Sequence, residues 1–177
     1  ENKYRKLAES VPAAIFIFSG RRFIYCNDYS SVITGYSREE LFEMDFWDIV
    51  HPDFRELAME RGYQRQRGEN IPARYEMKIL DKNGQEKWMD YTGSLIEYQN
   101  KPSVLGVAYD ITELKNTQHA LIDSEQKYRA LVENMSEVIL YVDNRDRIVF
   151  VNDNAIKFFG YSRSELIGAN AADLLAA

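Results

Sequence analysis

The sequence predicts an α+β fold: one complete unit, a long linker helix, and the opening part of a second unit of the same kind. Three observations carry that expectation. Two short apolar runs come first, helical patterns follow, and three strand patterns close the stretch, an order that segregates helices from an antiparallel sheet. The opening then repeats: Tyr4-Arg-Lys-Leu-Ala-Glu-Ser-Val returns as Tyr128-Arg-Ala-Leu-Val-Glu-Asn-Met, Tyr25-Cys-Asn-Asp as Phe150-Val-Asn-Asp, and Gly35-Tyr-Ser-Arg-Glu-Glu-Leu as Gly160-Tyr-Ser-Arg-Ser-Glu-Leu. The single inserted residue falls at a turn, Ser19-Gly20 against Asp143-Asn144, where a structural repeat tolerates it. Composition agrees, with 45% hydrophobic, 13% aromatic and 28% charged residues, the balance of a globular chain.

The elements follow in order. Ala13 to Phe18 is a short apolar run that turns at Ser19-Gly20 into Arg22-Phe-Ile-Tyr25, a hairpin. Asn27 or Asp28 caps a helix with Tyr29, Val32 and Ile33 on one face. Gly35 ends that helix, and Ser37 caps another with Glu40 at the capping-box position. Pro52 suits the first turn of a longer helix whose stripe is Phe54, Leu57, Ala58 and Arg61, stopping near Gly68. Arg74 to Ile79 alternates like a half-buried strand, Asn83-Gly84 is a strong hairpin signal, and Lys87 to Glu97 returns. Tyr98 to Pro102 turns into a last strand, Ser103 to Asp110.

From Ile111 to about Asn134 there is no Gly or Pro, so the segment reads as one helix. Ile111, Leu114, Leu121, Tyr128, Val132 and Met135 fit a 3-4 spacing interrupted by Gln118 and Glu125. Periodicity alone leaves two readings open, a coiled-coil seam and a connector packed on its own domain. Tyr4, Leu7 and Val11 repeat the seam in the opening helix, and a homodimer through the N-terminal and linker helices is expected. The boundaries read as 1–112 for the first unit with its N-terminal helix, 113–134 for the linker, and 135–177 for the second unit.

Charge and cysteine content exclude several classes. A net charge of −6 and a pI near 5.1 argue against a nucleic-acid partner, whose phosphates need a basic face. Cys26 is the sole cysteine, which excludes an internal disulfide and a cysteine-rich zinc site. No apolar run approaches a membrane span and no secretory segment opens the sequence, so a cytoplasmic location is expected.

These residues together resemble the PAS family of sensory domains. The resemblance rests on Asn27 opening the first helix, Gly35-Tyr-Ser-Arg-Glu-Glu-Leu41, His51-Pro-Asp53, the Asp81-Lys-Asn-Gly-Gln-Glu-Lys-Trp88 hairpin and Asp110-Ile-Thr-Glu113. It covers nearly the whole chain, as one complete domain and one truncated domain. It implies a five-stranded antiparallel sheet of order 2-1-5-4-3, with helices enclosing a small-ligand pocket on one face. It also implies that Asp110, Ile111 and Thr112 couple the sheet to the exit helix, since Asp and Thr can bind donors where a strand becomes a helix. Tandem PAS units precede a histidine kinase most often, and next a diguanylate cyclase. The resemblance therefore implies an input module that senses a small ligand or redox state, with a ligand-free dimerisation and relay scaffold as the alternative.

The chemistry-bearing residues form no catalytic constellation. His51 and His119 lack metal-ligand spacing, and Gly35, Gly62, Gly68 and Gly84 are isolated, so this chain is not expected to be an enzyme. Haem-binding relatives use a histidine on the long helix after the proline; Phe54 to Arg67 has none, and His51 reads as a helix-start residue. Relatives with a flavin–cysteinyl bond carry the thiol on a short helix, whereas Phe46-Trp-Asp-Ile-Val50 has no cysteine and Cys26 ends a strand. Haem and covalent flavin are thus disfavoured, non-covalent flavin stays open, and no cofactor or metal is assigned. The expected pocket lining is Ile15, Ile17, Tyr25, Tyr29, Trp47, Leu57, Tyr75, Met77, Tyr91, Leu105 and Val107, against the alternative that these simply interdigitate as core. Arg74 and Trp88 could anchor an anionic or aromatic ligand, or Arg74 could pair with a surface carboxylate.

Overall fold

A computed structural model describes residues 2–175, with side chains described over 6–174. Tyr4, the first member of the expected seam, lies outside the residues with described side chains. The chain divides into two compact units, Glu1–Asn116 and Thr117–Ala177.

Unit 1 runs α1 (Asn2–Ser10), β1 (Ala14–Ser19), β2 (Arg22–Cys26), α2 (Asp28–Thr34), α3 (Arg38–Glu43), α4 (Pro52–Gln66), β3 (Arg74–Leu80), β4 (Glu86–Tyr98) and β5 (Lys101–Asp110). Its strands form one antiparallel sheet of order β2-β1-β5-β4-β3, the expected topology. Local chemistry sets the helix starts. The Asn27 side chain accepts from the Ser30 amide, Ser37 and Glu40 close a capping box, and His51 Nδ1 accepts from the Asp53 amide at 3.2 Å beside Pro52.

Strand alternation decides what faces the helices. Ala14, Phe16 and Phe18 of β1, Met77 and Ile79 of β3, Met89 and Tyr91 of β4, and Val104 and Ala108 of β5 share the core face. Two glycines open its centre. Gly93 and Gly106 are cross-strand partners, and a Cβ on Gly106 would lie 2.4 Å from the Phe16 ring, while one on Gly93 would lie 2.3 Å from Tyr91 Oη. With both absent, the Phe16 and Tyr91 rings stack at 6.1 Å.

Two turns differ from the simplest sequence reading. Asn83-Gly84 belongs to a five-residue loop rather than a two-residue hairpin, because Asp81 Oδ1 accepts from both the Asn83 and Gln85 amides at 2.9 Å. The two-residue hairpin lies at Gln99-Asn100 instead, with φ of 51° and 59°.

α5 (Thr112–Asn134) is one uninterrupted helix and buries none of its residues. Leu114, Leu121 and Tyr128 are each more than half exposed, so among the described residues its apolar stripe is not covered. Unit 2 continues with β6 (Leu140–Val142), β7 (Ile148–Val151), α6 (Asp153–Phe159), α7 (Arg163–Leu166) and α8 (Ala171–Leu175). Ile148, Val151, Ala155 and Leu166 form its small core. Asn152 and Gly160 cap α6 as Asn27 and Gly35 cap α2, so the sequence repeat is also a structural one.

A cavity, a junction and a repeated anchor

Two small cavities lie between the sheet and helices of unit 1, each about 30 Å³. One is almost wholly apolar, with Ala14, Ile33, Leu41, Met89 and Ala108 in its wall beside Ser30 and Thr34. The other holds Ala58, Gly62, Arg65, Tyr75 and Tyr91. Phe16, Phe23, Ile49 and Met77 border both and form the partition between them.

The structure separates the expected lining residues. Tyr75, Met77 and Tyr91 meet at the second cavity. Tyr29 packs on the core beside the cavities, and Trp47 packs edge-on to Phe46 with a 4.9 Å centroid separation. Ile15 pairs with Val107, and Ile17 with Leu105 and Tyr25; alternation directs all five to the other side of the sheet from Phe16. The run Ala13 to Phe18 is apolar on both faces, so its pattern gives no sign of which face is inner. Leu57 is exposed, because α4 turns Ala58, Gly62 and Arg65 inward. Arg74 forms the surface pair, with its guanidinium on both Asp90 carboxylate oxygens at 2.5–3.1 Å.

Phe16, Phe46, Ile49 and Arg65 are lining residues that the sequence reading did not name. Arg65 carried a legible signal: with Ala58 and Gly62 it completes a 3-4 spacing of small residues, so the apolar phase of α4 runs straight into a cation. Its Nη2 donates to the Pro72 carbonyl at 2.7 Å, whereas Nη1 is buried without a hydrogen-bond partner among the described residues. Burial raises the Tyr75 and Tyr91 hydroxyls, and the nearby Arg65 charge opposes that shift. Cys26 borders the apolar cavity; burial pushes its thiol up to about 12, with the Arg38 charge acting weakly the other way.

Asp110, Ile111 and Thr112 sit where the sheet becomes α5. Asp110 Oδ1 accepts from the Thr112 amide at 2.9 Å. Trp88 on β4 is gripped from both sides of its peptide: its amide donates to Thr112 Oγ1 at 2.9 Å and its carbonyl accepts from the Ile111 amide at 2.8 Å. One turn later, Lys115 reaches Glu76 at 2.5 Å and lies 5.4 Å over the Trp88 ring. Trp88 is three residues from Tyr91, so one strand touches both the cavity and the helix start.

Asn27 anchors the segment leading into unit 1. Fully buried, its amide nitrogen donates to the Ala8 and Ala13 carbonyls, both at 2.9 Å, and its oxygen accepts from the Ile15 and Ser30 amides. Asn152 repeats the pattern in unit 2, donating to Val132 and Glu137 and accepting from Ile139 and Ala155. Among the described residues no three His, Cys, Asp or Glu side chains converge for a metal, and no helix is long and apolar enough to cross a membrane.

Comparison with known proteins agrees with this geometry. Residues 23–108 and residues 126–177 each match a family described as PAS fold. Sporulation kinase A of Bacillus subtilis is 25% identical over 97% of this chain and 28% of its own length. Two-component sensor PprA of Pseudomonas aeruginosa is 29% identical over 99% of this chain and 19% of its own length. The chain thus spans less than a third of either relative. A crystal structure of a PAS domain from Colwellia psychrerythraea superposes with a TM-score of 0.55 at 21% identity, covering 63% of this chain and 97% of that one.

Proposed function

Because the chain belongs to the PAS family, we propose that it is the sensory input of a signalling protein: unit 1 takes a small ligand between sheet and helices, and β4 passes its occupancy to α5. The observation that carries this reading is the placement of Tyr91 and Trp88 on one strand, one on the cavity and the other holding Thr112. Ligand sensing is favoured over thiol redox sensing, because a Cys26 thiol held up to about 12 supplies almost no thiolate near neutral pH.

The relatives named as a kinase and a two-component sensor support a histidine kinase as the effector. The exposed stripe of α5 supports a homodimer, with Leu114, Leu121 and Tyr128 facing their copies. We assign the module to the cytoplasm, since a single free, buried cysteine suits a reducing compartment.

Native mass spectrometry of the purified chain, beside a denaturing spectrum, tests the reading. It predicts a mass excess that disappears on denaturation, carried on a dimer. A clean apo mass in every charge state would favour a ligand-free relay scaffold instead.

A further inference from the structure

The cavity of unit 1 contains a charge without a counter-charge. Arg65 is 5% exposed, its Nη1 has no partner, and no carboxylate lies within 4 Å of its guanidinium among the described residues. A guanidinium cannot shed its proton at any physiological pH, so the cost of burying it must be met by a neighbour. Protein dipoles meet only part of it: Nη2 has the Pro72 carbonyl, the guanidinium carbon lies 5.8 Å from the centre of the Tyr91 ring, and the Tyr75 and Tyr91 hydroxyls, both neutral, lie near enough to interact with it. A second cation, Arg61, stands 4.4 Å over the Tyr75 ring and adds to the positive potential. A cavity of about 30 Å³ has room for one water, which would satisfy a donor but would leave the charge unbalanced.

Shape adds the rest of the chemistry. Beyond the partition lies the first, almost wholly apolar cavity, and the partition includes Met77, an adaptable side chain. Movement of Met77 or Ile49 joins a cationic end to an apolar end.

We propose that unit 1 binds a short-chain aliphatic monocarboxylate, its carboxylate on Arg65 Nη1 and its tail across the Phe16–Met77 partition in the apolar cavity. This inference rests on the ligand-sensing reading and specifies its ligand. A carboxylate supplies the missing charge and accepts the free donor. The small volumes limit the tail to a few carbons.

The test uses the whole chain, with acetate, propionate and butyrate as probes and the corresponding neutral amides as matched controls, at constant ionic strength. Thermal melting and calorimetric titration are the readouts. The carboxylates are expected to bind and raise the melting temperature, butyrate most, and the amides are expected to bind roughly ten- to a hundredfold more weakly. Arg65→Met is expected to remain folded and to lose the carboxylate effect. Arg65→Lys, which keeps the charge without the fork, is expected to retain weakened binding, and it carries the test if the Met variant does not fold. Amides binding as well as carboxylates, with Arg65→Met and Arg65→Lys both unaffected, would overturn the anionic assignment and leave ligand sensing intact. Failure of both sets to bind, together with a clean native mass, would overturn both.

Discussion

Arg38 on α3 reaches back to Glu9 on α1 at 2.6 Å, closing a loop of contacts in which Arg38 also meets Asp28 at 2.6 Å and Glu9 accepts the Asp28 amide. Unit 2 makes the same three contacts with Arg163, Glu133 and Asp153, at 2.8–2.9 Å. In both units the last turn of the preceding helix is thereby held to the first helix of the domain. α5 is therefore tied at its start through Thr112 and near its end through Glu133.

The anchor's strength lies in its asparagine. Arg38 and Glu9 are partly exposed, so Arg38→Ala should cost only about 0.5–1 kcal/mol. Asn27 is fully buried and its side chain makes five bonds, two of them as donor. Asn27→Asp would set a carboxylate against the Ala8 and Ala13 carbonyls, and should cost about 2–4 kcal/mol in urea unfolding. A cost below that of Arg38→Ala would show that Asn27 is not the anchor.

Gly62→Ala should destabilise although it lies inside a helix, where alanine is ordinarily better by about 1 kcal/mol. An added Cβ would stand 2.3 Å from the buried Phe46 ring. The net cost should be about 1–2 kcal/mol. Phe46→Leu in the same background should recover part of it, giving a coupling above about 0.5 kcal/mol. Stabilisation by Gly62→Ala alone would mean the ring gives way freely.

Cys26 should be inert to thiol reagents near pH 8 until the protein unfolds. Its folded pKa is raised to about 12 from 9.0, chiefly by burial. The thiol's contribution to stability is fully present below the unfolded value and is lost as pH rises from about 9 towards 12. Cys26→Ser should flatten that alkaline limb of stability relative to wild type, whatever it costs at pH 7. An unchanged limb would place the alkaline loss elsewhere.

Thr112→Val keeps the shape but removes the acceptor for the Trp88 amide. The expected cost is about 1 kcal/mol, with faster amide exchange at Trp88 and in the first turn of α5. Exchange unchanged at Trp88 would mean that the Ile111 amide bond to the Trp88 carbonyl holds the junction unaided.

Sequence legibility followed the kind of force at work. Caps and repeats are local chemistry, so Asn27, Ser37 and His51-Pro52, and in unit 2 Asn152 and Ser162, are legible directly. Strand order came through family resemblance. Which face of a strand turns inward is a tertiary decision, and the runs that hold Ile15, Ile17, Leu105 and Val107 are apolar on both faces, so their pattern does not mark the outer side on which these residues lie. Leu57 is exposed for a related reason: a glycine facing Phe46 and a cation facing Tyr91, rather than the large apolar residues, define the inner face of α4.

Amide exchange with and without saturating butyrate reads the coupling between the cavity and α5. Slowed exchange is expected in β3 and β4 beside the cavity, with a concurrent change at residues 112–116, both absent in Arg65→Met. Protection of the cavity strands with no change at 112–116 would contradict that coupling, because a ligand would then be bound without being relayed.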